Sequence, residues 1–90
     1  MLNELEVKVL NELLDRYCDT RKLYEKAKKM GNTSDTDILL LVMYEDMGKV
    51  EGVLTMAEYR LGTTVELNWD MAVDDNIRKV TIAGYDEQLI

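Results

Sequence analysis

The chain has 90 residues, of which 47% are apolar, with 18 acidic and 11 basic residues and a formal net charge of −7. A single domain of this size buries only somewhat over ~60% of the surface that its unfolded chain exposes, and the apolar content argues against intrinsic disorder. The lack of histidine, together with a single cysteine, excludes an imidazole zinc site, a thiolate cluster and a Cys–His nucleophile. We therefore expect a folded protein that is not an enzyme and that holds no cofactor or metal.

The first predicted element is a helix over residues 2–29. Apolar residues recur at helical spacing along one stripe of this segment. Basic residues in the last turn are followed by Gly31, which adopts the left-handed conformation at low cost and so predicts the end of the helix. The link to the next helix is short and polar, which predicts an antiparallel helix pair with Thr33 or Ser34 as the second N-cap.

The second predicted helix covers residues 35–61 and carries a seven-residue repeat. Its first turns, from Ile38 to Tyr44, are apolar on every side, which implies burial from more than one direction. One seam position is filled by Leu40, Met47, Leu54 and Leu61, and the other by Met43, Val50 and Ala57.

Two glycines interrupt this second helix on the face away from the seam. Gly48 and Gly52 each cost about 1 kcal/mol relative to alanine in a helix interior. Small residues four apart on one face permit another backbone to approach closely. We therefore predict that the hairpin or a second chain lies against this face, the alternative being a weak point that packing compensates.

Beyond Gly62 the apolar period changes to two, which predicts a β-hairpin over residues 64–83. A two-residue turn at Asp75-Asn76 places Met71 opposite Val80 on the buried face. No structure is predicted for the tail, residues 84–90. The apolar face of the first strand is Val65, Leu67, Trp69, Met71 and Val73, and Val80 and Ile82 match it in the second.

The predicted architecture is thus α+β, with two antiparallel helices followed by a C-terminal hairpin. A two-stranded hairpin is marginal alone, and its open edges invite pairing with another strand. Either a second copy or a strand of another protein would pair there, and we expect a homodimer to complete the fold. The residues predicted to carry self-association are Leu40, Met47, Leu54, Leu61 and Trp69.

Charge is distributed unevenly along the chain. Residues 1–31 hold seven Lys/Arg and six Asp/Glu, whereas residues 32–90 hold four Lys/Arg and twelve Asp/Glu. The acidic part would repel duplex DNA, so direct nucleic-acid binding is not expected, whereas attraction to a basic protein would speed association. The residues predicted to contact such a partner are Glu51, Glu58, Glu66, Asp70, Asp74 and Asp75.

These features leave two functional interpretations. Small acidic chains without catalytic residues are common among accessory proteins of phages and mobile elements. The first interpretation is therefore a protein-binding module, in its sharpest form an inhibitor that occupies the basic groove of a nucleic-acid-binding protein. The second is a homo-oligomeric structural or assembly protein.

The expected location is the cytoplasm. No apolar run approaches the roughly 20 residues that span a bilayer, no signal segment is seen, and the lone Cys18 suits a reducing compartment.

Carboxylates on the two helices are one candidate for a magnesium site. Glu12 and Asp15 on the first helix would face Glu45 and Asp46 on the second. Acidic side chains at this spacing are far more typical of a solvated helix face. The acidic link also lacks the ligand spacing and the glycine of an EF-hand loop, so no metal ligand is assigned.

Overall fold

The computed structural model describes residues 1–89 and contains three helices and a three-stranded sheet. The predicted α+β layout of two long helices followed by an antiparallel hairpin is confirmed. The elements in chain order are α1 (Glu4–Lys29), α2 (Thr33–Leu61), β1 (Val65–Leu67), α3 (Trp69–Asp74), β2 (Lys79–Ile82) and β3 (Tyr85–Gln88).

Helix α1 begins with a reciprocal cap. The side chain of Asn3 accepts a hydrogen bond from the Glu6 amide at 2.8 Å, and the Glu6 carboxylate accepts one from the Asn3 amide at 2.8 Å. Arg60 near the end of α2 pairs with the same carboxylate. Burial opposes ionisation of Glu6, but the bonds from Arg60 and Asn3 prevail and lower its pKa. This contact joins the start of α1 to the end of α2.

Helix α2 begins two residues earlier than its sequence pattern predicts. The cap is Asn32, whose side chain accepts a hydrogen bond from the Asp35 amide at 3.1 Å, so the prediction of Thr33 or Ser34 as N-cap is wrong. Either residue would have served chemically, but both lie inside the first turn. The helix ends as predicted at Gly62, which adopts a φ of 69°.

The sheet has the order β1-β2-β3, and both pairs of strands are antiparallel. Leu67 lies opposite Val80 and Val65 opposite Ile82, so the predicted pairing of Met71 with Val80 is wrong. The register differs by four residues, an even number, and Val65, Leu67 and Val80 are therefore still buried on one face. The apolar alternation identified the buried face of the sheet but not the partner residues.

The segment after β1 is the clearest departure from the predicted hairpin. Residues 65–73 do not form one long strand, because α3 occupies Trp69–Asp74. Asn68 caps this helix by accepting a hydrogen bond from the Met71 amide at 3.1 Å. Ala72, which a period of two would place on the polar face, is fully buried. A helix buries positions three and four apart, and this segment satisfies that period as well as a period of two.

The predicted tail contains the third strand. β3 pairs with β2 across a two-residue turn at Ala83-Gly84, and Ile82 lies opposite Tyr85. Both turn residues have positive φ, 51° for Ala83 and 84° for Gly84, which is the pattern of a type I′ turn. Residue 90 of the predicted tail lies outside the described residues.

Ala83 offers a direct test of this turn. Alanine is disfavoured at positive φ, whereas asparagine tolerates it and is preferred before glycine in type I′ turns. We expect Ala83→Asn to stabilise the protein by about 0.5–1 kcal/mol, measured as a higher urea midpoint at unchanged slope. Lower stability would contradict the turn assignment.

The molecule is elongated, measuring 44 × 22 × 19 Å. The sheet packs across the first half of α1 and the second half of α2. Buried apolar residues of both helices, α3 and the sheet meet there in one cluster. None of the helices within residues 1–89 carries an apolar stretch long enough to cross a membrane. The buried apolar cluster consists of Leu2, Leu10, Leu14, Val50, Leu54, Ala57, Val65, Leu67, Ala72, Val80 and Leu89.

Candidate partner-binding surface

The acidic residues predicted to contact a partner follow the chain from the second half of α2 to the end of α3. Two of them hold the β1–α3 segment against α2. Glu51 accepts a hydrogen bond from the indole Nε1 of Trp69 at 3.1 Å. Glu58 is half-buried and accepts one from the Val65 amide at 3.2 Å. These two carboxylates are therefore engaged within the chain.

Trp69 is positioned from two sides. Its ring lies edge-on to Tyr17 of α1, with centroids 5.5 Å apart, while its indole nitrogen reaches Glu51 of α2. Burial raises the pKa of the Tyr17 hydroxyl, in keeping with its place beneath α3. Trp69 thus anchors α3 across the helix pair and is a structural residue of this chain.

The far end of α3 is tied to α1 by an ion pair. Asp74 accepts a hydrogen bond from Arg21 at 2.7 Å, and this bond raises the pKa of the Arg21 guanidinium. Both side chains retain access to water, so the pair contributes little to stability. The carboxylate of Asp74 is therefore less available to a partner than the sequence pattern suggested.

Three of the predicted contact residues are exposed and make no ion pair within residues 1–89. Glu66 lies on the outer face of β1, Asp70 in the first turn of α3, and Asp75 at its C-cap. All three lie in or beside the stretch of chain from β1 to the end of α3. These carboxylates are free to meet a basic surface.

Asp86 extends this set and was missed because no structure was predicted for the tail. It lies opposite Thr81 on β3, accepts a hydrogen bond from the Thr81 hydroxyl at 3.0 Å, and Thr81 in turn lies opposite Glu66. With neighbouring strands about 4.8 Å apart, Glu66 and Asp86 flank one polar row across the sheet. The Ala83-Gly84 turn was the sequence signal for this strand.

The acidic charge of this region is not balanced locally. Residues 51–87 carry eight acidic and three basic residues. Two of those three cations pair with carboxylates of α1, Arg60 with Glu6 and Arg78 with Asp15. The third, Lys79 on β2, is left against eight carboxylates, so the region stays strongly negative. We call Glu66, Asp70, Asp75 and Asp86 the acidic face.

Three of the four helix carboxylates of the candidate magnesium site, Asp15, Glu45 and Asp46, are used in ion pairs. Asp46 is fully buried, not solvated as predicted, and both its oxygens accept from Arg16, one of them at 3.1 Å from Nε. The bond to Asp46 also raises the pKa of Arg16. Asp15 pairs with Arg78 and Glu45 with Lys49. Within residues 1–89 no three His, Cys, Asp or Glu side chains gather as a metal site.

The residues predicted to mediate self-association are largely engaged inside the chain. Leu54 is only 2% exposed, and Leu61 and Trp69 pack against the core cluster. Leu40 and Met47 are half-buried. The set therefore offers a second chain much less surface than the repeat suggested.

The glycine face of α2 is open. A Cβ atom placed on Gly48 or Gly52 would meet no atom from elsewhere in the described chain within 4 Å. The prediction that the hairpin approaches this face closely is therefore wrong, because β1 and α3 pack along a different side of α2. An approach by a second chain stays a prediction.

Comparisons with protein-family models, with curated proteins and with solved structures found no match.

Proposed function

We propose that this protein is a small cytoplasmic binding module, without enzymatic activity, that holds a basic protein partner on its acidic face. The observation that supports the proposal is the local charge imbalance. Glu66, Asp70 and Asp75 are exposed and lack ion-pair partners among residues 1–89, while Arg60 and Arg78 are committed to α1. Unpaired carboxylates on a rigid scaffold attract a cationic groove and orient its approach.

In its sharpest form, the proposal is that the partner is a nucleic-acid-binding protein. A groove that binds nucleic acid presents Lys and Arg side chains to phosphates. The carboxylates of the acidic face, on the sheet and α3 of this chain, would take the place of those phosphates. Binding of this kind would exclude nucleic acid from the groove. The acidic chain itself would not bind nucleic acid.

A charge-reversal experiment tests this proposal. The variant carries Glu66→Lys, Asp70→Lys and Asp75→Lys, and the control carries Glu12→Lys, Asp19→Lys and Asp37→Lys, which change the net charge equally on exposed helix positions. The partner is captured from native cell extract with the unmodified protein, purified, and titrated with all three. We expect the first variant to bind about tenfold or more weakly at about 0.1 M salt, and the control to lose much less.

Two outcomes would contradict the proposal. Equal losses in both variants would mean that only net charge matters, not this face. Unchanged binding by the first variant would place the contact elsewhere. A competition assay with duplex DNA or RNA then separates the sharper form, since a partner that still binds nucleic acid in the complex is not blocked in its groove.

A further inference from the structure

The far end of the helical hairpin, residues 22–42, lacks the third layer that covers the rest of the helix pair. Hydrogen bonds from α3 and the sheet reach α1 no further than Arg21 among residues 1–89. Beyond that point no hydrogen bond or ion pair within residues 1–89 joins α1 to α3 or the sheet, although Val73 of α3 borders a groove beside Lys22 and Lys26. We call residues 22–42 the tip. The sequence predicted burial of Ile38 to Tyr44 from more than one side, and the chain supplies only one.

Large apolar side chains are therefore exposed in and beside the tip. Their exposed fractions range from 57 to 74%. Ile38, Leu41 and Tyr44 follow one another at a spacing of three residues, which makes them neighbours on one side of α2. At roughly 150–200 Å² for a large side chain, they leave about 500 Å² of apolar surface in contact with water. These side chains are Leu23, Met30, Ile38, Leu41 and Tyr44.

Part of this surface forms a groove of about 390 Å³ between the end of α1 and the start of α2. Leu23, Met30 and Ile38 line it. Its two walls carry opposite charges, Lys26 on α1 and Asp35 on α2, and neither forms an ion pair within residues 1–89. A two-fold axis through such a groove brings each wall against the opposite wall of the other copy.

We infer that the tip is the interface of a homodimer, with a second copy of this chain as the occupant of the groove. Two such surfaces together would bury about 1,000 Å², which is the lower limit for a specific interface. The apolar side chains would lie at its centre. Lys26 of each copy would face Asp35 of the other, so the rim is self-complementary.

Electrostatics favours the tip over the rest of the surface for self-association. The tip holds four lysines and three acidic residues, a net charge of +1, whereas the remainder of the chain carries −8. Association through the acidic remainder would place like charges together, which opposes binding. Association through the tip keeps the two acidic ends apart. The tip contains no residue of the acidic face, so its failure as an interface would leave the proposed function untouched.

Sedimentation equilibrium of the full chain between about 1 and 200 µM tests the dimer, a range that brackets the micromolar affinities expected of a small interface. We expect the unmodified chain to dimerise. Leu23→Glu with Ile38→Glu is expected to raise the dissociation constant at least about tenfold, because four charges would enter the interface. The control Met56→Glu alters a 69% exposed side chain of α2 outside the tip and is expected to leave the constant unchanged.

A charge exchange gives a second measurement that does not depend on disrupting the apolar surface. Lys26→Asp or Asp35→Lys alone should weaken the dimer, and the chain carrying both should recover it, because a two-fold partner restores the pairing. Amide chemical shifts of the unmodified chain should change with concentration mainly in residues 22–44. Three results would overturn the inference. The unmodified chain could stay monomeric over the whole concentration range. Dimerisation could be weakened by Met56→Glu but not by Leu23→Glu with Ile38→Glu, or the chain carrying both Lys26→Asp and Asp35→Lys could fail to regain the dimer.

Discussion

Replacing Arg16 with methionine is expected to destabilise the protein by about 2–3 kcal/mol, through its effect on Asp46. The Asp46 side chain has no exposed surface, and Arg16 is its hydrogen-bond partner. Stranding a fully buried charge costs roughly 3–5 kcal/mol. We expect a smaller loss here, because the Arg16 side chain is 53% exposed and its removal lets water reach Asp46. Urea unfolding followed by far-UV circular dichroism measures the loss.

The reciprocal substitution should cost much less. Asp46→Leu removes the buried charge and leaves Arg16 free to extend into water, so we expect a loss below about 1 kcal/mol. The double variant, Arg16→Met with Asp46→Leu, should be close to the unmodified protein and clearly more stable than Arg16→Met alone. The contrary result is that Asp46→Leu and Arg16→Met lower the free energy of unfolding equally. That result would show that the ion pair itself supplies the stability, and that the cost of Arg16→Met does not come from leaving a buried charge unpaired.

The long helices could be predicted because each of their signals agrees with the others. The apolar stripes repeat over many turns, the last turn of α1 is basic, and Gly31 and Gly62 adopt positive φ where the helices end. Summed over more than twenty residues, such signals outweigh local ambiguity. The burial of Asp46 had no such signal, because burial of one carboxylate depends on the angle at which two helices meet.

The α3 segment was ambiguous because it is short. Trp69, Met71 and Val73 fit a strand, and Trp69, Ala72 and Val73 fit a helix equally well. Six residues are too few for either period to be decisive. Two contacts favour the helix: the capping side chain of Asn68, and the anchoring of Trp69 by Glu51 and Tyr17. The cap is visible in the sequence, whereas the anchoring of Trp69 depends on the tertiary structure.

The acidic surface could be predicted in composition but not in detail. Counting charges along the chain found the negative region correctly. Which carboxylates are free depends on contacts across the fold: Glu51 and Glu58 hold the β1–α3 segment, whereas Glu66 and Asp70 face water. Charge counting cannot separate these two groups, because all four occupy similar positions in the amphipathic pattern.

The same substitution at two leucines of α2 should separate the core from the inferred interface. Leu54 is 2% exposed and Leu41 is 70% exposed. Leu54→Ala is expected to cost about 3 kcal/mol, since it removes buried methyl groups and leaves a cavity beneath the sheet. That loss is a large part of the total stability of a domain of this size, and it should appear at every protein concentration.

Leu41→Ala should leave the unfolding of the monomer nearly unchanged, because the side chain touches mostly water there. At high concentration it should instead lower the thermal midpoint of the chain, since a weaker dimer gives less stabilisation by mass action. Differential scanning calorimetry at two concentrations measures both effects. The contrast rests on one physical difference: Leu54 is buried by its own chain, whereas Leu41 is 70% exposed in the single chain and would be covered only in the inferred dimer. An equal effect of Leu41→Ala at low and high concentration would mean that no second copy reaches this position.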